Sequence, residues 1–338
     1  MAKWFDRYPG PDQMVFGAPA ALHALETKLG IPAGQALRGT AYGSGFDIGY
    51  LQMNEDLSLS ASWIQLMGIQ PLGPNEPDTE LGREFRAMIL AYVTSQRMDR
   101  PIVCHVQPLS APTQDDVNTI IEMLRSRGVP FYARMDNVYI GLIQENGHIH
   151  YDPTADAGML LEFAPSVRDN LTNFILPPRL PDNPETVQLL PGTLVRPLAR
   201  VNVVENAEAI IDRFRSMLDW PDEEDVDIVD GDGQRSLILK PLNGLSAVWE
   251  LVQPTRSDSR AGQVLQRYGA GAWVNRLGVF GLDAMLGDLE ARGTRWADVG
   301  PGPKGQRRVA LNPGDLHGLS LELEDMPVVF RGVGAGRV

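Results

Sequence analysis

"YGAGAWVNRLGVFGLDAMLGDLEARG", residues 268–293, sets a Gly-x-Gly turn before an apolar strand and an amphipathic helix after it. A phosphate-binding loop needs its glycines between strand and helix, where freed N–H groups face the anion. Here Gly269 and Gly271 precede the strand. They fit the end of a connecting helix, "SRAGQVLQRYGAG", and the turn out of it, where glycine accepts positive φ. The stretch therefore predicts helix, turn, strand and helix, and no nucleotide cradle.

The same strand–break–helix order recurs along the chain. It is found in "DQMVFGAPAALHALETKLGI" (12–31), "RPIVCHVQPLSAPTQDDVNTIIEMLRSRGVPF" (100–131) and "LARVNVVENAEAIIDRFRSMLDW" (198–220). Each copy leads through strand-like segments to a short apolar strand with one acidic or amide residue inside it. These endings are "SWIQLMG", "MLLEFAP", "AVWELVQ" and "LSLELED". The four units span similar lengths, about 50 to 60 positions from first strand to last, which is a repeat and has to be read before any single motif. The predicted class is α+β, with four tandem βαβββ modules. A Pro-rich stretch without clear period, residues 166–194, separates two halves at 10–165 and 195–328. Helical pieces, "ELGREFRAMILAYVTSQR" and "SRAGQVLQRYGAG", join the paired modules within each half.

Composition narrows the function classes. With 338 residues there is room for two ordinary domains. A net charge of −13 argues against a nucleic-acid or anionic-membrane surface, both of which need concentrated Lys and Arg. No stretch approaches the roughly 18 apolar residues of a membrane helix. "MAKWFDRYPG" has no signal-peptide core, so a cytoplasmic location is expected. The single cysteine, Cys104, excludes an intrachain disulfide and a Cys-based zinc cluster. The acidic runs "PDEEDVDIVDGDG" and "PNEPDTE" lack the spacing of a calcium loop.

The stretch from "WELVQPTRSDSRAGQVLQRYGAGAWVNRLGVFGLDAMLGDLEARG" to "RRVALNPGDLHGLSLELED" resembles the vicinal oxygen chelate superfamily, nearest in look to its methylmalonyl-CoA epimerase-type members. That superfamily also holds glyoxalase I, extradiol dioxygenases and bleomycin-resistance proteins. The resemblance implies two glyoxalase-like, cup-shaped domains, each an open sheet built from paired modules. It also implies a divalent metal held by four residues, two from first strands, usually His, and two from last strands, usually Glu or Gln. Carried onto this chain, those positions are Gln13 and Gln65, Ile102 and Glu162, Arg200 and Glu250, Val274 and Glu322. The last-strand positions follow the pattern and the first-strand positions do not. Ile and Val offer no lone pair, and Arg adds a repelling charge. Either no cofactor or one divalent metal is expected, with Gln13, Gln65 and Glu162 as its ligands if present.

Arg200 is expected to reach between Glu250 and Glu322 in place of a metal, since a guanidinium can bond both carboxylates. The expected catalytic groups are Glu162 with His148 or His150, which alternate along "GHIHY", and Glu250 with Glu322. Gln13, Gln65, Arg200, Trp63 and Trp249 are the expected substrate-binding residues. The resemblance implies a small carbonyl-containing or aromatic substrate and proton-transfer chemistry, as in an isomerase, epimerase or lyase. An extradiol dioxygenase and a non-catalytic small-molecule binder are the alternatives. Neither a nucleic-acid nor a membrane partner is expected, and the chain is read as a monomer or homodimer.

Overall fold

The computed structural model describes residues 13–16, 19–31, 36–40, 46–52, 63–69, 78–95, 107–111, 114–134, 137–156, 158–159, 161–165, 190–231, 233–240, 247–302 and 305–326. Ile102, Cys104 and His105 lie outside them, as do the side chains of Gln13, Trp63 and Gln65.

The first strands and helices are β1 (Gln13–Phe16), α1 (Pro19–Leu29), β2 (Ala36–Thr40), β3 (Phe46–Gln52) and β4 (Trp63–Ile69). They form a four-stranded sheet of order β1-β4-β3-β2, with β1 and β4 parallel. Helix α2 (Glu80–Ser95) leads to β5 (Gln107–Ala111), α3 (Gln114–Ser126), β6 (Phe131–Arg134) and β7 (Asn137–Ile140). A separate ribbon of β8 (Leu142–Glu145) and β9 (His148–Tyr151), then the short α4 (Pro153–Asp156), precede β10 (Leu161–Pro165). The second sheet repeats the first in order, β5-β10-β7-β6. Among the described residues the N-terminal strands form these two four-stranded sheets and the β8–β9 ribbon.

The C-terminal half does build one continuous sheet. Its elements are β11 (Thr193–Val203), α5 (Ala207–Leu218), β12 (Val226–Gly231), β13 (Gln234–Leu239), β14 (Val248–Pro254) and α6 (Arg260–Tyr268). The last unit is β15 (Gly271–Phe280), α7 (Leu282–Ala291), β16 (Trp296–Asp298), β17 (Arg308–Leu311) and β18 (Leu321–Asp325). Eight strands run in the order β12-β13-β14-β11-β15-β18-β17-β16. Two β–α–β–β–β units are joined edge to edge where β11 and β15 pair antiparallel.

Local chemistry fixes the helix ends. Asn206 caps α5 by accepting from the Ala209 amide at 3.0 Å, and Ile211, Phe214 and Leu218 then fall at helical spacing on its buried face. Helix α6 ends at Gly269, whose φ of 80° is closed to most L-residues, and the chain turns directly into β15. This is the turn that the glycines of "YGAG" predict.

Helices α5 and α7 lie on one side of the eight-stranded sheet, where they meet α3 and α1 of the other half. Val117, Ile120 and Leu124 of α3 share an apolar cluster with Ile211, Phe214 and Leu218 of α5. Leu25 and Leu29 of α1 share another with Met285, Leu286 and Leu289 of α7. Arg127 reinforces the first contact by donating to the Ser216 carbonyl at 3.0 Å and to Asp219 at 2.8 Å. With α5 and α7 on that face, the opposite face, where α6 packs, is left to form a pocket.

Candidate active site

Side chains alternate across a strand, so each position of β11 and β15 faces either the helices or the pocket. Val201 and Val274 face the pocket, and Val252 of β14 completes an apolar floor with them. The pocket is partly open to solvent. Arg276, two residues beyond Val274 and on the same face, stands beside that floor. Its Nη1 donates to Glu250 at 2.8 Å and its Nε to Glu322 at 3.3 Å. Glu324 adds a third carboxylate, 3.6 Å from Nε. All four side chains are largely or wholly buried.

The register explains the arrangement. Glu322 on β18 is the cross-strand partner of Arg276, and Glu250 on β14 is the partner of Val201. Ser236 of β13 donates to the other oxygen of Glu250 at 2.9 Å, which fixes that carboxylate's orientation. Arg260, the first residue of α6, reaches Glu322 from the rim with its Nη1. Its guanidinium also lies 5.0 Å from the centre of the Trp273 ring. Ser259 caps this helix by accepting from the Gly262 amide at 3.0 Å. Gly262 is required there, since a Cβ would come within 2.3 Å of the Arg256 carbonyl oxygen.

Burial and charge oppose one another in this cluster. Burial disfavours the charged form of Glu322, but the charges of Arg276 and Arg260 outweigh it and hold the carboxyl below its ordinary range. Burial likewise pulls Arg276 down, and Glu250, Glu322 and Glu324 reverse this, leaving it firmly protonated. Glu324 differs, because burial dominates and raises it despite Arg276 and Arg308. Its Oε2 accepts no hydrogen bond among the described residues. Arg308 lines the same pocket and is pulled down, first by burial and then by the like charge of Arg276.

Several expected site residues fall elsewhere. Arg200 does not enter the pocket. It is one residue out of phase with Val201 and is buried on the helix side, 6.0 Å from the Trp249 ring. Trp249 is core rather than substrate-binding surface, packed edge-on against Trp220 at 5.3 Å and Phe214 at 5.8 Å. The guanidinium between Glu250 and Glu322 belongs to Arg276. Strand alternation from Val274 could have found it, two positions on.

In the N-terminal half, Glu162 is buried and accepts from the Asn137 amide. Its neighbour on β5 is Pro108, so the first-strand position falls there and not at Ile102. His148 and His150 project from the β8–β9 ribbon and are exposed, their rings 6.5 Å apart. A buried carboxyl and two exposed imidazoles on a separate ribbon do not make the expected acid–base group. At β1 and β4 the backbone pairs Gln13 with Ile64 and Gln65 with Met14.

The residues of the C-terminal pocket do not fit the divalent metal that the resemblance implies. Val201 and Val274 have no donor atoms, and a protonated guanidinium already bridges the two glutamates that would be ligands. Among the described residues, no group of three or more His, Cys, Asp or Glu side chains is arranged to hold a metal ion. The pocket lining includes no histidine, so the two-His, one-carboxylate set of an extradiol dioxygenase does not form there.

The sheet decides the fold: two β–α–β–β–β units meet at β11 and β15, with their last-strand glutamates turned into one pocket. The C-terminal half has a vicinal oxygen chelate-type fold. No family model matches the chain's sequence, and no curated protein does. Among solved structures, the chain is similar to a variant of Streptomyces coelicolor methylmalonyl-CoA epimerase in complex with 2-nitronate-propionyl-CoA. That match has 24% identity and a TM-score of 0.35, covering 40% of this chain and 100% of the other. Methylmalonyl-CoA epimerase from Mycobacterium tuberculosis matches at 20% identity and a TM-score of 0.35, over 42% of this chain and 95% of the other. A hypothetical protein from Bacillus halodurans matches at 16% identity and a TM-score of 0.33, over 39% and 95%. No helix among the described residues is long and apolar enough to cross a membrane.

Proposed function

We propose that the C-terminal pocket is the active site of a proton-transfer enzyme acting next to the carbonyl of a small organic molecule, with arginine in the place of a metal. The observation that carries this is the Arg276 guanidinium held between Glu250 and Glu322 on the floor of an open pocket. A fixed cation there can stabilise an enolate oxygen as charge develops on it, the role of a preorganised electrostatic site. Glu250 takes the proton from the carbon, the C–H electron pair moves into the carbon–carbon bond of the enolate, and the carbonyl oxygen takes the negative charge beside Arg276. Return of a proton to that carbon from Glu250, once the enolate has turned its other face or the proton has exchanged with water, completes the cycle with no net change of charge and Glu250 ionised again. The proposal includes the organisation of the whole chain as four modules in two cups, supported by the strand order shared by the two N-terminal sheets.

The test is deuterium exchange from heavy water into a panel of acyl thioesters and 2-substituted 3-oxo acids, followed by NMR with chelator present throughout. Exchange is expected in the native protein and lost in Glu250→Gln and Glu322→Gln. Exchange undiminished in both variants overturns the assignment.

A second reading is a binder without catalysis. It is favoured by Glu322, which two guanidinia hold ionised and engaged, a poor state for a base. A ligand that co-purifies and is recovered unchanged after incubation distinguishes this reading from turnover.

A further inference from the structure

We infer that Arg260 is an anion-selecting latch over this pocket, and that the ligand carries a carboxylate which takes Arg260 away from Glu322. The inference rests on the reading of the pocket as a small-molecule site, and it names the class of molecule admitted.

Three features of Arg260 set it apart from Arg276. Its side chain is 42% exposed, whereas that of Arg276 is 6% exposed. Its partner Glu322 is buried to 2% and keeps a second guanidinium, Arg276 Nε on Oε2, so Arg260 can leave without stranding a buried charge. Its backbone is fixed at the rim, because Ala261 and Val264 of the same helix pack on the valine floor. The side chain is therefore anchored at one end, replaceable at the other, and open to solvent between.

What would draw it away is set by its surroundings. The guanidinium lies over Trp273, which gives a flat ligand an aromatic wall beside a planar pair of donors. Arg308 lines the same pocket and donates to the Pro301 carbonyl at 2.8 Å, which holds a second cation at the rim. A carboxylate fits better than a phosphate dianion, because one exposed guanidinium matches two oxygens and the buried acids of the floor repel extra charge.

The test uses benzoate and its neutral isostere benzamide on the full chain, by isothermal titration calorimetry. Native protein is expected to bind benzoate about tenfold more tightly than benzamide, a preference that salt weakens. Arg260→Gln should erase the preference and Arg260→Lys should keep part of it. Glu322→Gln should tighten benzoate, because the latch is no longer held. Equal affinity for the two probes, failure of both to bind, or a preference that survives Arg260→Gln each overturns the inference. Unchanged thermal unfolding of Arg260→Gln separates these results from loss of fold. A benzoate preference without deuterium exchange would leave the latch standing and remove the proposed reaction. Exchange that ignores Arg260→Gln would do the reverse.

Discussion

Glu162 in the N-terminal half and Glu322 in the C-terminal half end their respective units on equivalent last strands, and both are buried to 2%. Their surroundings differ. Glu322 lies against two guanidinia, which overcome the cost of burial and keep it ionised. Glu162 accepts from the neutral amide of Asn137, which also donates to the Tyr139 hydroxyl at 3.2 Å. One position in the repeat is thus met by two guanidinia in one half and, among the described contacts, by an amide in the other. The sequence position is shared, but what reaches it from neighbouring strands is not.

The comparison breaks most sharply at Arg276. Arg276→Met leaves three buried carboxylates without their common cation, and removing one partner of a buried charge group costs about 3–5 kcal/mol. A loss at the upper end of that range is expected in urea unfolding, and a loss near zero would mean the cluster is solvated. Next comes the matched pair Glu322→Gln and Glu162→Gln. The first should cost about 3 kcal/mol because two guanidinia lose their counter-charge. The second should cost about 1 kcal/mol, since an amide oxygen still accepts from Asn137. Equal losses at the two sites would erase the distinction.

The smallest effect is a change of slope with pH. Glu322 sits below the ordinary value of 4.5, so its share of stability is full above that value and is lost as pH falls through the folded-state value. Glu324, only two residues on, sits above 4.5, so its share falls as pH rises from there through its folded-state value. Glu324→Gln should therefore flatten the decline of stability with rising pH in that window, measured by urea midpoints across the range. A steeper decline in the variant would contradict the assigned direction.

The architecture was legible because it is written in a repeat. Strand, break and helix return at similar spacing, and Gly269 announces the end of a helix through its backbone rather than through any ligand. Glu250 and Glu322, read from the last strands, do meet at one pocket. The first strands were harder, since strand alternation turns a one-residue error into the opposite face. Arg200 and Val201 illustrate this, on a strand whose pairing with β15 shifts register between Val201 and Asn202. The second unit shows a larger slip, with Pro108 and not Ile102 beside Glu162, because a parallel partner's register depends on contacts distant in sequence. Arg260 was missed for another reason: it belongs to a connecting helix, and the repeat pattern treats connections as spacers.

The contact between α3 and α5, with its counterpart between α1 and α7, bears on how this chain can be taken apart. Each half offers the other an oily flank. A half produced alone would show that flank to water and clump or seek a substitute mate, whereas two halves made as separate polypeptides would find one another. The molecule is in this sense a heterodimer that happens to be encoded as a single chain.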